Sequence, residues 1–276
     1  MNARPDRGMY RAALTLIALA ISALHVVPLW ITAMVALKSR SDLSSRWMPP
    51  AAPVWSNFAA AIRTAELPRA FLNTMIVTAA STAATILIGA MAAYPLARNR
   101  SRRNEAVKLF VLSIMMIPAL SLLVPLYSLL VNYHAISTLW GIVPIHVTFN
   151  LPLAIFLYAN FIGTIPRDLD EAAVIDGCSV FRVFDRIILP LLKPVTVSVL
   201  ILTGVAVWND YQFSTYFLQK PVSRVVTLAI ASFFGQTSSD PNVAAAAALL
   251  AVLPVLALYV ALQNYFVKGT VDSAVK

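Results

Sequence analysis

The sequence predicts an all-α membrane protein with six transmembrane helices and both termini in the cytoplasm. Three observations carry that reading. Hydrophobic residues make up 59% of the 276 residues and charged residues only 12%, and mean hydropathy is +0.77. Such a chain has too little charge to cover a soluble surface. Long runs without a single charged residue recur along it, and its basic residues fall in short clusters between those runs.

Crossing about 30 Å of hydrocarbon as a helix takes roughly 20 apolar residues. The first span is expected over 12–37 and the second over 70–97, both free of charge. From 109 to 166 there is no Asp, Glu, Lys or Arg, which is room for two spans. Asn132-Tyr133-His134-Ala135-Ile136-Ser137 breaks that run, giving spans near 109–131 and 138–161. A fifth is expected near 195–217, containing Asp210, and a sixth near 242–267. The first run is longer than the roughly 7–15 residues of a signal-peptide core and has no convincing cleavage site, so it reads as an anchor. The segment 225–234 is too short to span and reads as an interfacial or partly re-entrant helix.

Orientation follows from the basic residues. With the N-terminus inside, the inner segments hold Arg4, Arg7, Arg11, the Arg98–Lys108 cluster, Arg167, Arg182, Arg186, Lys193, Lys268 and Lys276. The outer segments hold Lys38, Arg40, Arg46, Arg63, Arg69, Lys220 and Arg224. The bias is 14 to 7 and favours cytoplasmic termini. The resulting organisation is a terminus over 1–11, one membrane domain over 12–267 with an inner loop at 162–194, and a tail over 268–276. Scattered in this way, the net charge of +9 fixes topology and offers no nucleic-acid surface.

That inner loop is the polar interruption of the chain. Pro166 suits a first helical turn, and Asp168, Asp170 and Glu171 complement the positive end of a helix dipole. Gly177 suits a left-handed cap that reverses the chain. A second arm follows, with Val180, Phe181, Val183, Phe184, Ile187 and Ile188 at helical spacings and Arg182, Asp185 and Arg186 opposite. Pro190 and Pro194 close it. The expected object is a two-helix hairpin with one apolar face and a small-residue tip, Ala172-Ala173. An ordinary amphipathic hairpin lying on the membrane would not explain the Glu-Ala-Ala triplet, the glycine and the Leu-Pro exit together.

The run Glu171-Ala172-Ala173-Val174-Ile175-Asp176-Gly177, continuing to Ile187-Ile188-Leu189-Pro190, resembles the EAA loop of permease subunits of bacterial ABC importers. Further segments are similar to the carbohydrate-uptake branch: Asn73-Thr74, Ala92-Ala93-Tyr94-Pro95-Leu96-Ala97-Arg98, Met116-Ile117-Pro118, Val124-Pro125-Leu126-Tyr127 and Trp208-Asn209-Asp210-Tyr211. The tail shares Lys268-Gly269-Thr270 and Ala274-Val275-Lys276, but Asp272-Ser273 stands where that branch commonly has a glycine. The chain looks like the shorter of the two permeases of a maltose-type importer.

The resemblance implies a type I ABC importer permease fold in the bacterial inner membrane, forming half of a pore for a sugar or oligosaccharide. Glu171, Ala172, Ala173, Asp176, Gly177, Ile187, Leu189 and Pro190 would couple it to an ATPase. The partners it implies are a second permease, a different chain, two ATP-binding subunits and an extracytoplasmic solute-binding protein. ATP and magnesium would belong to the ATPase, since no G-x-x-x-x-G-K-[ST] phosphate loop occurs in this sequence. A non-sugar solute such as a polyol, glycerol phosphate or peptide is the alternative. An ion-coupled secondary transporter is the more distant one, because only Asp210 is a candidate buried carboxylate.

A few residues stand out within the spans. Asp210, with Asn209 and Tyr211, reads either as part of a sugar path or as a helix terminus packed against a loop. Asn150 reads either as a partner for a sugar hydroxyl or as cover for a carbonyl freed by Pro152. His25, His134 and His146 share no metal-ligand spacing, Cys178 reads as a filler in a packed turn, and no nucleophile-base pair is visible.

Overall fold

The computed structural model of the chain describes residues 7–64, 66–99, 101–235 and 238–274. Arg4, Arg100, Val275 and Lys276, used in the sequence reading, lie outside them. Among the described residues, four helices are long and apolar enough to cross a membrane, or up to six if each of two sharply bent helix pairs is one span. The chain is divided into two compact units, residues 1–67 with 229–253, and residues 68–228 with 254–276.

The first unit holds α1 (Arg7–Ala36), α2 (Ser56–Thr64) and the beginning of the last helix. Asn242 ties this unit together: its Nδ2 donates to the carbonyls of Val35 at 2.9 Å and Lys38 at 3.0 Å. Asn57 does the same for Ala36 and Lys38, each at 2.8 Å. Both asparagines thus bind carbonyls at and just beyond the end of α1, where that of Val35 also accepts the Lys38 amide. Lys38 is 3% exposed and donates to the Ser44 and Ser45 carbonyls and the Ser44 hydroxyl. Arg40 pairs with Asp240 at 2.6 Å. Two of the basic residues that weigh against the expected orientation are therefore bound within the fold. A two-residue antiparallel ladder pairs β1 (Phe234–Gly235) with β2 (Ser238–Ser239).

The second unit begins with α3 (Leu67–Arg98) and α4 (Arg102–Ile114), the latter started by Ser101, whose Oγ accepts the Asn104 amide. A 3-10 turn at Ala119–Leu122 leads into α5 (Leu123–Asn132). The axes before and after this break differ by 89°, so the third expected span is two helices and not one straight rod. Pro118 stands at the break, unable to donate a helical N–H. The expected loop at 132–137 is present: His134 and Ser137 have φ of 52° and 60°, and Thr138 caps α6 (Leu139–Thr164) by accepting the Gly141 amide. A Cβ on Gly141 would lie 2.3 Å from the Ala135 carbonyl oxygen, so only glycine fits that loop closure. A second close approach sets α3 on α6, where a Cβ on Gly89 would stand 3.0 Å from the Cβ of Ala154.

Beyond α6 come α7 (Asp168–Ile175), α8 (Val180–Val183), a π-turn at Phe184–Ile188, α9 (Leu189–Leu191) and α10 (Lys193–Trp208). The fifth expected span is corrected here: its helix stops at Trp208 and does not run on to 217. The Asn209 side chain folds back onto the Val205 carbonyl at 2.9 Å, and a separate α11 (Gln212–Phe217) starts after Asp210. A 3-10 turn at Pro221–Ser223 and α12 (Val226–Ala231) follow. Asn73 and Thr74 stitch this connection to α3. The Asn73 Nδ2 donates to the Val222 and Arg224 carbonyls, and Thr74 Oγ1 accepts the Val226 amide at 2.8 Å. The last helix, α13 (Pro241–Ala274), continues past the expected end at 267.

Candidate functional site

The polar segment folds as the expected hairpin. Three acidic residues occupy the first turn of α7, where the helix dipole favours them. Its C-terminal end is closed by two linked bonds, the Gly177 amide to the Val174 carbonyl at 3.0 Å and the Cys178 amide to the Ala173 carbonyl at 2.9 Å. This is the Schellman arrangement, and it needs a left-handed residue at Gly177, whose φ is 81°. No atom lies within 4 Å of a Cβ built there, so glycine serves conformation and not space. Ser179 then caps α8 by accepting the Arg182 amide.

The second arm departs from the smooth helix read in the sequence. The Leu189 amide reaches back five residues to the Phe184 carbonyl, forming the π-turn just before Pro190, which has no amide to continue the ladder. Val183, Phe184 and Ile188 point inward. They join Ala93, Leu96, Tyr158, Ile162, Ala173, Leu192 and Val195 in one apolar cluster. The hairpin and the adjoining ends of α3, α6 and α10 therefore share a single core.

Two features of the expected hairpin are corrected. Ala173 belongs to that core and is not a tip residue, leaving Ala172 exposed beside Glu171. Val180 and Phe181 were expected on the buried face, yet both are exposed, Phe181 at 69%. With Val174 and Ile175, the latter 85% exposed, they put four large apolar residues around the Gly177 turn without cover. Asp176 and Pro190 are exposed, whereas Ile187 and Leu189 are half-buried against the shared core.

The residues singled out within the spans do not all converge. Asp210 accepts the amides of Phe213 at 3.1 Å and Ser214 at 2.9 Å and the Ser214 hydroxyl at 2.6 Å. Its carboxylate lies 3.8 Å from His146 Nε2, and its carbonyl accepts the Thr227 hydroxyl. That is the geometry of a helix cap on α11. Asn209 and Tyr211, on either side, are exposed. Asn150 donates to the His146 carbonyl at 2.8 Å, whereas the carbonyl left free by Pro152 is that of Thr148.

The whole arrangement matches known proteins. The family model for the binding-protein-dependent transport system inner membrane component matches residues 85–272. The chain belongs to that family. It is a permease subunit of an ABC importer and a multi-pass membrane protein. MelC of Bacillus subtilis, a melibiose/raffinose/stachyose import permease, is 42% identical over 264 residues, covering 95% of this chain and 96% of that protein. AmyC of Thermoanaerobacterium thermosulfurigenes, a probable permease for starch degradation products, is 33% identical over 95% of this chain and 96% of its own length. Among solved structures, the fold is similar to a chain of a bacterial ABC transporter that imports the acidic polysaccharide alginate. The TM-score there is 0.79 at 17% identity, over 96% of this chain and 99% of that one.

Sequence reasoning missed one feature of this permease. Arg98, the last residue of α3, meets Asp170 in the first turn of α7 at 2.6 Å, and the Tyr94 hydroxyl donates to the same carboxylate at 2.7 Å. Tyr94-Pro95-Leu96-Ala97-Arg98 was legible as a motif, but nothing in the sequence pairs it with a residue 72 positions away.

Proposed function

We propose that this permease forms half of the translocation path of a sugar or oligosaccharide importer, and that hairpin 162–194 couples it to a separate ATPase on the cytoplasmic side. The single observation behind the coupling assignment is the contrast between the hairpin's two faces. Its inner face is fused to the helix ends of the bundle. Its turn carries Val174, Ile175, Val180 and Phe181 in the open beside Glu171. An apolar rim around a stiff turn suits a groove on another protein, and a carboxylate beside it supplies orientation.

In this reading Glu171, Ala172, Asp176 and Gly177 meet the ATPase. Ala173, Ile187, Leu189 and Pro190 set the hairpin's shape and its joint with the bundle. ATP and its magnesium ion belong to the partner, because the sequence has no phosphate loop. Closure of two ATP-binding subunits pushes the hairpin, and the bundle switches between outward-facing and inward-facing states, a two-state element biased by nucleotide. A second permease of different sequence completes the path, and an extracytoplasmic solute-binding protein delivers the solute. The sugar assignment is supported by the import substrates in the names of MelC and AmyC. The path through the chain runs past Asn209 and Tyr211, which keep free surface, whereas the Asp210 and Asn150 side chains are engaged with backbone.

The test is purification of the permease with its partners, followed by binding-protein-stimulated ATPase activity screened over sugars. Stimulation by an oligosaccharide and not by polyols, glycerol phosphate or peptides supports the reading. Transport that persists in vanadate and collapses with an uncoupler while ATP is maintained overturns it in favour of an ion-coupled carrier.

A further inference from the structure

Arg98 is bound on three sides. Its Nη1 donates to the carbonyls of Ile165 at 2.8 Å and Ile162 at 3.2 Å at the C-terminal end of α6, where the Ile162 carbonyl also accepts the Ile165 amide. Its Nε and Nη2 face the two oxygens of Asp170 at 3.2 Å and 2.6 Å. Both side chains are largely buried, 13% and 16% exposed. One turn back on α3, Tyr94 donates to Asp170 Oδ1 and sets its ring against Phe184, with centroids 5.4 Å apart. Phe184 belongs to the second arm of the hairpin. The last turn of α3 thus grips both arms of the hairpin and the end of α6 at once.

This geometry matters because the chain itself joins the hairpin only to α6 and α10. A push on the Gly177 turn would reach those two helices through the backbone, and α3 only through contacts. Planar Arg98 is suited to hold them: its Nε donates to Asp170 Oδ1, its Nη2 lies beside Oδ2 as the charged partner, and its Nη1 donates to the α6 carbonyls. A lysine, with one rotatable ammonium, cannot satisfy both sets together. A carboxylate and a guanidinium removed from water also resist being separated without their partners.

From this we infer that Arg98 and Asp170, braced by Tyr94, form the strut through which hairpin movement reaches α3. The pair positions and transmits; it touches neither nucleotide nor solute. The inference rests on the coupling role proposed for the hairpin, and it adds a helix that the chain connectivity leaves out.

The experiment uses the assembled complex in nanodiscs, with permeases, ATP-binding subunits and solute-binding protein. It reads solute moved per ATP hydrolysed. Asp170→Asn, which keeps shape and removes charge, should leave assembly and stimulated hydrolysis within about twofold while cutting the ratio about tenfold, as loss of a coupling contact does. Arg98→Lys should lower the ratio as well, and Asp170→Glu should recover part of it. Should Asp170→Asn yield no complex, Tyr94→Phe decides by the same ratio, since it removes one hydroxyl from the same oxygen. An unchanged ratio in assembled complexes overturns the strut. Ile175→Asp, at the turn, separates this from failure of the underlying reading. If Ile175→Asp complexes assemble and couple normally, the hairpin is not the coupling element. If only Ile175→Asp fails, the strut alone is wrong.

Discussion

The Cys178 amide donates to the Ala173 carbonyl at 2.9 Å, across a Gly177 whose φ is 81° and whose surroundings are empty. Space cannot explain that glycine, so any effect of replacing it is conformational. Gly177→Ala should destabilise the hairpin by about 1–2 kcal/mol, the cost of a left-handed L-residue. Gly177→Asn should cost less, since Asn tolerates that region better. Hydrogen exchange of the 168–183 amides checks the order. Equal protection in all three proteins would remove the argument.

Phe181 and Ile175 are exposed and contribute nothing to the bundle core. Phe181→Glu and Ile175→Asp should therefore leave membrane insertion intact and change stability by no more than about 0.5 kcal/mol, as surface substitutions do. They should abolish co-purification of the ATPase. A fall in midpoint with the ATPase still bound would place these residues in the fold and not at a partner.

The contact of α3 with α6 depends on Gly89, where an added Cβ would stand 3.0 Å from that of Ala154 and 3.5 Å from the Tyr158 ring. Gly89→Leu should cost about 1–3 kcal/mol by overpacking. Gly89→Ala should cost less, and Ala154→Gly should restore part of that loss in the double variant. Thermal unfolding of the detergent-purified permease reads the cycle, and strict additivity of the two changes would contradict the contact.

Asp210 caps α11, and its two sequence readings make different predictions. Asp210→Ala should lower stability by about 1 kcal/mol, the usual loss of a cap, and Asp210→Asn should retain much of it. Solute preference should stay unchanged. A variant with full stability and altered solute preference would return Asp210 to the solute path.

Much of this was legible in the chain, for identifiable reasons. The break at Asn132 to Ser137 was marked by polar residues inside an apolar run, and α5 and α6 flank it. The hairpin was marked by acidic residues, Gly177 and Pro190 at spacings that chemistry constrains. The 89° bend before Ala119 was not read, because hydropathy counts apolar length and is blind to direction; Pro118 was its only signal. The fifth span was drawn too long for the same reason, since Asn209 and Asp210 interrupt the helix by side-chain bonds to backbone that composition does not reveal. The exposed position of Val180 and Phe181 was missed because helical spacing gives a face but not where the bundle ends. Arg98 with Asp170 was out of reach altogether, a pairing made by the fold.

The most direct test places a photo-cross-linking residue at position 175 of the permease in native membranes with all partner subunits present. The account predicts an adduct with the ATP-binding subunit whose yield changes on adding ATP. Labelling of position 175 by an impermeant reagent from outside the cell, with no adduct to that subunit, would contradict it.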